Sequence, residues 1–296
     1  RIAALTLCVA LLAMPAPAER AFSSLQSLLR SSDLIVLGDV RHGVSERVRF
    51  FSSESFFASL SRAGVQHVAI EMPRVLGRQA MTIETEDDVA AFAADIIRSG
   101  RWRFTDPDHP SDDGNEIQRA VASGLGRQVL YAKRFGIQPI FYDFNNPLGG
   151  FATFNDPVYR CLAALTSVTL VRYALNARIT KEVRDSAIIR ERFSHDDELA
   201  AFIEARANEK GGGKLVVIPG YAHAVMPGGL AERLETRLNR RAAVVAVFKD
   251  TSEAGRFANF LWEQAALLQV DLSRPPHFYY NIADDTLRAE TSPSRF

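Results

Sequence analysis

Cysteine is scarce in this chain of 296 residues, which contains only Cys8 and Cys161. Cys8 lies in an N-terminal apolar stretch that we expect to be removed, and this would leave a single thiol. One cysteine cannot form a disulfide within the chain, so the sequence excludes a fold held by a disulfide framework. Cys161 lies in the apolar run YRCLAALTSVTLVRY, and we interpret it as a small buried side chain rather than a catalytic thiol.

An excess of charge of either sign is also missing, because 35 Lys and Arg residues balance 35 Asp and Glu residues. This balance lacks the basic footprint of proteins that bind nucleic acid or anionic membranes. The charges are scattered, as is typical of solvated helix faces. We therefore expect a small-molecule or peptide substrate and no nucleic-acid partner, and the sequence does not indicate an oligomeric state.

The apolar stretch at the N-terminus is too short to span a bilayer. The segment RIAALTLCVALLAMPAPAER combines a basic residue, this stretch and the small residues Ala16-Pro17-Ala18. That layout is typical of a secretory signal peptide, here cut after Ala18. The alternative is a buried N-terminal helix. We expect residues 1–18 to be the signal peptide and the mature protein to be periplasmic or secreted, without a stable membrane span.

Apolar strand-like segments alternate with amphipathic helices along the rest of the chain. The predicted strands are DLIVLG, VQHVAIE, IQPIFYDF, KLVVIPG and AAVVAVFK. One helix is predicted over 45–64, between the first two strands, and ends at Gly64. Such β-α-β units form parallel sheets with helices on both faces. Residues 19–296 are therefore predicted to form one α/β domain with a mostly parallel central sheet. Insertions at about 84–135 and 145–213 are predicted to cap the C-terminal edge of the strands.

Ionisable residues follow several predicted strands. In sheets of this kind, ligands bind beyond the carboxyl ends of the strands. The residues at those ends are Asp39, His42, Glu71, Asp143 and His223. Because the ends of parallel strands meet at one edge, we expect these side chains to line one cleft.

Plainer interpretations exist for most of these residues. Capping of a turn explains Asp39 as well as catalysis does, and His42 alone could simply bond to backbone. Glu71 directly follows an apolar strand, where a carboxylate is costly to bury unless it is paired. His223 precedes a Gly-rich turn whose backbone N–H groups could hold an anion. We interpret the other histidines as structural or solvent-facing: His67, His109, His195 and His277.

Four segments resemble motifs of one superfamily. GDVRHG (38–43) resembles the G-E-x-x-H-G signature of the erythromycin esterase-like group. VAIEMPR (68–74) resembles the second-strand glutamate motif shared with ChaN-like haem-uptake proteins, and VRDSAIIRERF (183–193) resembles the R-D-x-x-M-A segment of the same superfamily. GYAHAVMPGGLAERL (220–234) is similar to its late G-x-x-H-A motif, which TIKI/TraB metalloprotease relatives also carry. The four motifs occur in the same order as in the superfamily that joins erythromycin esterase, ChaN and TIKI-type proteins, so the chain resembles that superfamily.

The sequence departs from the superfamily pattern in two places. Asp39 stands where a glutamate is usual, and it is shorter by one methylene. Ile188-Ile189 stand where Met-Ala is usual. The acid is kept in the first case, so the chemistry could survive with an altered geometry.

The resemblance implies a role for each ionisable residue of the motifs. His42 would be the general base or a metal ligand, with Asp39 and Glu71 orienting it or activating water. His223 would act opposite it as a second ligand or an acid. A carboxylate partner fixes the tautomer of a histidine and raises its basicity, which suits general-base chemistry.

The resemblance also implies that Arg184 would hold an oxyanion or a substrate carboxylate, with Asp185 orienting Arg184 or a histidine. We assign Arg41, Asp143 and Tyr221 to ligand binding in the same cleft. Each of these five residues is predicted only from its motif or its place at a strand end.

A divalent metal would suit this set of residues, with His42, Glu71 and His223 as ligands. Their spacing is not that of a local H-E-x-x-H motif. The expected function is that of an exported hydrolase that activates water against an ester, lactone or peptide bond. One alternative is a periplasmic haem- or iron-binding uptake protein of ChaN type. The other is an exported toxin or effector domain. The candidate haem ligands are Tyr221, Tyr279, Tyr280 and His277.

Overall fold

Seven strands form a single sheet in the order β3-β2-β4-β1-β5-β6-β7. The computed structural model describes residues 23–39, 45–99, 114–143, 187–225, 229–254 and 278–289. The strands are β1 (Leu34–Asp39), β2 (Val65–Pro73), β3 (Gln138–Asp143), β4 (Lys214–Ile218), β5 (Ala242–Phe248), β6 (Phe278–Asn281) and β7 (Thr286–Ala289). Strands β1 to β6 are parallel, and β7 pairs antiparallel with β6. This confirms the predicted α/β class with a mostly parallel sheet.

Helices flank the sheet on both sides. They are α1 (Ser23–Ser31), α2 (Ser45–Phe51), α3 (Glu54–Arg62), α4 (Arg74–Ala80), α5 (Glu86–Ser99), α6 (Gly114–Arg134), α7 (Ala187–Glu209), α8 (Tyr221–Val225) and α9 (Leu230–Leu238). The prediction of one helix over 45–64 is wrong, because the chain forms two. Ser53 is extended (φ −88°, ψ 143°) and its side chain accepts the N–H of Phe56. Ser53 is thus the N-cap of α3 and separates it from α2.

Strand β4 lies between β1 and β2, although it comes from the last third of the chain. Leu34 of β1 pairs with Leu215 of β4 on one side and with Ala242 of β5 on the other. Strand β2 pairs with β4 and β3. The carboxyl ends of β3, β2, β4, β1 and β5 therefore follow one another along the same edge.

The core has two layers, one on each face of the sheet. Helices α1 to α6 cover one face, where Ile35 and Leu37 of β1 are buried. Helices α7, α8 and α9 cover the other face, where Leu34 and Val36 of the same strand are buried. The alternation follows from the period of two in a strand, and strands buried on both faces read as continuous apolar runs. This explains why the sequence LIVL is uniformly apolar.

The two predicted cap insertions contribute helices to these layers. Helices α5 and α6 come from the first insertion and pack on the first face, where Val89, Phe92 and Ile96 are buried. Helix α7 comes from the second insertion and packs on the other face. Residues 100–113 and 144–186 lie outside the described residues, so the cap over the strand edge stays a prediction.

The N-terminal segment lies partly outside the described residues, and the C-terminal part contains a hairpin that the sequence did not predict. Residues 1–22, with the predicted signal peptide, lie outside the described residues, and α1 follows them. None of the helices in the described ranges is long and apolar enough to cross a membrane. The hairpin of β6 and β7 was not predicted. It pairs Phe278 with Ala289 and turns through Asp285, which has a positive φ of 55°.

Candidate functional site

The carboxyl edge of the sheet collects the described members of the predicted site. Asp39 ends β1 and forms a bridge with Gly220, just after β4. Asp143 ends β3 and pairs with Pro73 at the end of β2. Glu71 and His223 also lie at this edge, at the end of β2 and in α8. The other predicted members are outside the described residues: Arg41, His42, Arg184 and Asp185.

His223 forms a close pair with Asp196, a residue of α7. Its Nδ1 lies 2.7 Å from Oδ1 of Asp196, and the side chains are 20% and 2% exposed, respectively. A neutral imidazole that donates Nδ1–H to this carboxylate carries its lone pair on Nε2. The buried carboxylate thus orients the ring. This is the arrangement that a histidine general base with an orienting acid requires.

Gly38 explains how α8 reaches this position. A Cβ atom on Gly38 would lie 3.1 Å from both Cβ of Ala224 and Cδ2 of Tyr221. A side chain at this position would require α8 to move by a few tenths of an ångström, so glycine favours this close packing on β1. The ring of Tyr221 lies against Gly38 and the residue is buried. This packing supports the start of α8, which carries His223, and the predicted role of Tyr221 in ligand binding stays a prediction.

Glu71 is tied to the turn that carries His223. Its Oε2 accepts the N–H of Gly220 at 2.5 Å, and the N–H of His223 bonds to the carbonyl of Gly220 at 3.0 Å. A half-buried carboxylate next to an apolar strand segment needs a hydrogen-bond partner, and the N–H of Gly220 provides it. Glu71 thus supports the start of α8 from the neighbouring strand.

The negative charges of three carboxylates act on the phenol of Tyr142. This side chain is buried, and its hydroxyl donates to the carbonyl of Ile218 at 3.3 Å. Burial raises the pKa of Tyr142 well above its usual value, and the negative charges of Glu71, Asp143 and Asp196 raise it further. The phenol therefore stays protonated, and the three acids lie within electrostatic range of one buried point.

Asp39 belongs to a buried ion-pair network. Its Oδ1 lies 2.7 Å from Nε of Arg47, whose Nη1 lies 2.5 Å from Oε2 of Glu253. Glu253 also accepts the N–H of Lys249 at 2.8 Å. The Arg47 side chain is completely buried. Through Arg47, the carboxylate of Asp39 therefore holds α2 and the segment after β5 close to the end of β1.

Arg74 brings a cation to the same edge, directly after β2. Its Nε donates to the carbonyl of Tyr142 at 3.2 Å. Its guanidinium carbon lies 3.9 Å from the ring centroid of Phe202 in α7, and its Nη1 lies 3.6 Å from Glu198. A positive charge thus lies among the carboxylates of this edge.

Metal and haem binding stay predictions. Within the ranges that the structure covers, no three His, Cys, Asp or Glu side chains are arranged to hold a metal ion. Of the predicted ligands, Glu71 bonds to Gly220 and His223 bonds to Asp196, and His42 is outside those ranges. Tyr279 and Tyr280, which we considered as haem ligands, are buried.

Sequence analysis missed Asp196, Arg47 and Arg74. Asp196 shares the helical positions of Leu199, Ala200 and Ile203, which are all buried. An acid on the apolar stripe of a helix is a signal for a paired, buried carboxylate. Arg47 likewise precedes the buried Phe50 and Phe51 by three and four positions. Arg74 carries no such signal, because it lies on no apolar stripe.

Comparisons with known proteins yield one similar structure. No protein-family model matches the chain, and no curated protein sequence matches it. The chain is similar to the solved structure titled "The structure of the type III effector HopBA1", with a TM-score of 0.47 and 17% sequence identity. The match covers 79% of this chain and 83% of the other. A likeness at this level carries no information about function.

Proposed function

We propose that the protein is a hydrolase in which His223, oriented by Asp196, activates water against an ester, lactone or peptide bond. The observation that carries the proposal is the 2.7 Å contact between Nδ1 of His223 and the buried carboxylate of Asp196. This pair lies at the carboxyl edge of a parallel sheet, where ligands bind in such folds.

His223 alone carries out both proton transfers of the reaction. Nε2 takes a proton from a water molecule as its oxygen bonds to the carbonyl carbon of the substrate. The resulting imidazolium keeps its Nδ1–H on Asp196, whose negative charge stabilises it. The same Nε2–H then protonates the leaving oxygen or nitrogen as the bond to the carbonyl carbon breaks. His223 ends neutral and ready for the next cycle.

The neighbouring residues position this histidine. Glu71 holds the backbone of Gly220, and Tyr221 packs against Gly38. By resemblance, Arg184 would stabilise the negative charge that develops on the carbonyl oxygen, and His42 would add a second base or a metal ligand. In an alternative to the general-base role of His223, a divalent metal held by His42, Glu71 and His223 would polarise the carbonyl or activate the water, because Nε2 cannot bind a metal and accept a proton at the same time. The predicted signal peptide would place the reaction outside the cytoplasm.

The proposal is tested on the purified protein with a panel of esters, lactones and peptides. We expect His223→Ala to abolish hydrolysis and Asp196→Asn to lower kcat by roughly 10²- to 10⁴-fold, because the ring loses its tautomer and orientation. Asp197→Asn is the matched control, since Asp197 faces Arg233 and Arg237 instead. It should keep wild-type activity.

Three outcomes would count against the proposal. They are an inactive wild-type protein on all three substrate classes, full activity in His223→Ala, and full activity in Asp196→Asn. Circular dichroism confirms that each variant is folded. Loss of activity on dialysis against a chelator, regained with a divalent metal, would support the metal. A Soret band on titration with haem would instead support the haem-binding alternative.

A further inference from the structure

The amino edge of the sheet, where the parallel strands begin, carries a cluster of basic residues. A helix that leads into a parallel strand ends at this edge, and a basic side chain in its last turn complements the helix dipole. Arg30 lies in the last turn of α1, and Lys210 directly follows α7. Lys214 begins β4, while Arg240 and Arg241 directly precede β5. We call these five residues the basic patch.

The strand register places Lys214 and Arg241 on either side of β1. Leu34 of β1 pairs with Leu215 of β4 on one side and with Ala242 of β5 on the other. Lys214 and Arg241 are the residues immediately before those two partners. Neighbouring strands lie about 4.8 Å apart, so the Cα atoms of these two basic residues are roughly 10 Å apart.

Hydrogen bonds to main-chain carbonyls connect the rest of the basic patch. The Nζ of Lys214 donates to the carbonyl of Arg30 at 2.9 Å. The Nη1 of Arg240 donates to the carbonyl of Gly213, which is the residue before Lys214. Lys210 lies in the same short connection between α7 and β4. The five basic residues therefore form one local cluster, in which Lys214 and Arg240 are held by the backbone.

The other three members of the basic patch face solvent. Arg30, Lys210 and Arg241 are exposed. Across the described ranges, no hydrogen bond or ion pair engages their side chains. Their charges are thus available to an anionic partner without the loss of an existing contact.

The carboxylates beside the basic patch offset only part of its charge. Asp33 directly precedes β1, and Glu235 accepts a backbone N–H at the start of β5 at 2.8 Å. Glu209 pairs with Arg206, which lies outside the patch, at 2.8 Å. With these acids counted, the patch keeps an excess of positive charge. The balanced net charge of the sequence therefore hides a local basic surface, which appears only when the fold brings these residues together.

We propose that the basic patch docks the protein onto an anionic phospholipid bilayer. A basic side chain within a Debye length of an anionic leaflet is attracted to it without contact to a particular phosphate. All five members therefore contribute, including the backbone-bonded Lys214 and Arg240. The large apolar side chains that are exposed in the described ranges are Val75 and Met81, and neither belongs to the patch. Docking is thus electrostatic and peripheral.

Nucleic acid fits this surface less well than a bilayer does. Its binding depends on direct contacts to individual phosphates, and only Arg30, Lys210 and Arg241 have side chains that no contact already engages. Single strands also need aromatic side chains for base stacking, and no large aromatic side chain is exposed in the described part of the chain. The predicted signal peptide would place the protein where phospholipids are abundant anions.

Docking at the amino edge leaves the candidate site accessible. His223 lies at the opposite edge of the sheet, after β4. Strand β1 has six residues, which corresponds to roughly 20 Å between the two edges. The docked protein therefore directs the edge with His223 away from the bilayer.

Co-sedimentation with vesicles tests the proposal on the purified chain. Vesicles of phosphatidylglycerol and phosphatidylcholine in equal parts are anionic, and vesicles of phosphatidylcholine alone are neutral. We expect the wild-type protein to sediment with the anionic vesicles only. Binding should be lost at about 1 M salt, where the Debye length falls to about 3 Å. Equal binding to both kinds of vesicle would indicate apolar insertion and overturn the proposal.

A triple variant removes the exposed charges of the basic patch. Arg30→Gln/Lys210→Gln/Arg241→Gln breaks no hydrogen bond of the described residues. Each basic residue near an anionic leaflet strengthens binding about fivefold, so this variant should bind roughly 100-fold more weakly. The charge-keeping variant Arg30→Lys/Lys210→Arg/Arg241→Lys should bind like the wild type, because electrostatic docking depends on charge rather than on side-chain geometry.

Arg49→Gln/Arg78→Gln/Arg119→Gln is the matched control, since it lowers the net charge equally at three exposed positions. Arg49 and Arg78 lie in α2 and α4, which follow the carboxyl ends of β1 and β2, and Arg119 lies in the first third of α6. The control should bind like the wild type. Circular dichroism confirms that each variant is folded.

Several results would overturn the proposal. They are wild-type binding that persists at about 1 M salt, unchanged binding after loss of the three patch charges, and an equal loss in the matched control. Tighter binding to duplex DNA than to anionic vesicles, weakened by the same triple variant, would assign the patch to nucleic acid instead. No turnover is measured in these experiments, so they succeed or fail independently of the proposed hydrolase function.

Discussion

Arg47 is a charged residue with a completely buried side chain, and two carboxylates compensate it. Asp39 contacts its Nε and Glu253 contacts its Nη1. Removal of one member of a buried ion-pair network leaves the other charges without compensation, which is more damaging than the loss of an exposed pair. Arg47 thus links three parts of the chain at the edge where the candidate site lies.

Substitution of Arg47 tests this role. Arg47→Ala should lower the free energy of unfolding by about 3–5 kcal/mol, because Asp39 and Glu253 keep their charges and lose the cation between them. Urea denaturation of the purified protein measures the change. Arg49→Ala, in the same helix and exposed, should change it by less than about 0.5 kcal/mol. A loss below about 1 kcal/mol for Arg47→Ala would show that the network relaxes.

Single residues were the hardest part to predict from sequence. Asp196 and Asp197 are adjacent and chemically identical, yet one is buried against His223 and the other bonds to Arg237. Asp196 and Asp197 differ in their positions around the axis of α7 relative to the buried Leu199 and Ile203. However, α7 is too weakly amphipathic for its buried side to be identified from the sequence. The strand-end residues Glu71 and His223 were predictable, because the place where an apolar run stops marks the carboxyl edge.

Helix α5 shows how local hydrogen bonds define an element. Oγ1 of Thr85 accepts the N–H of Asp88, and Oδ2 of Asp88 accepts the N–H groups of Glu84 and Thr85. These bonds satisfy backbone donors at the first turn of the helix, where the helix itself provides no acceptors. They lower the pKa of Asp88, with the backbone N–H of Glu84 as the largest cause.

Loss of this cap should destabilise the fold in a way that depends on pH. Thr85→Ala should lower the free energy of unfolding by about 1 kcal/mol at neutral pH. Because the folded pKa of Asp88 is depressed, its contribution is present above the unfolded value near 4 and is lost as pH falls through the folded value. Thermal unfolding of Asp88→Asn and the wild type should therefore differ at pH 7 and converge as the pH falls below the depressed folded pKa of Asp88. A constant difference would contradict this assignment.

Elements were predicted more reliably than their boundaries. Five of the six parallel strands, β1 to β5, were predicted, because strands buried on both faces are continuous apolar runs. The prediction of one helix over 45–64 is wrong because the apolar spacing continues past Ser52 and Ser53, whereas the helical backbone is interrupted at Ser53. The β6–β7 hairpin was missed because it lies at the edge of the sheet, where its strands FYYN and TLRA are only four residues long and include polar residues.

At the scale of the whole molecule, buried phenols limit the range of pH over which the fold is stable. Tyr142 and Tyr280 are buried on opposite faces of the sheet. Burial raises the pKa of both hydroxyls, and nearby carboxylates raise it further, with Asp285 acting on Tyr280. Both hydroxyls ionise near pH 10 in the unfolded chain. Their contribution to stability is complete below that pH and is lost as the pH rises above it.

Alkaline unfolding tests this prediction. The free energy of unfolding should fall above about pH 10, with each buried phenol contributing a slope of about 1 kcal/mol per pH unit. Urea denaturation at pH 9, 10 and 11 measures the slope, and absorbance at 295 nm follows tyrosine ionisation. Tyr280→Phe should have a smaller slope, since its ring cannot ionise in either state. The same slope in both proteins would contradict the prediction.

The position of β4 between β1 and β2 has a consequence for synthesis on the ribosome. Strand β1 pairs with β4 and β5, and Leu215 follows its partner Leu34 by about 180 residues. While the first two thirds of the chain emerge, β1 has neither of these neighbours, and its apolar faces have no complete sheet to join. During translation, β1 thus stays unpaired and aggregation-prone until β4 and β5 have been synthesised. A nascent chain stalled before residue 214 should therefore bind chaperones strongly.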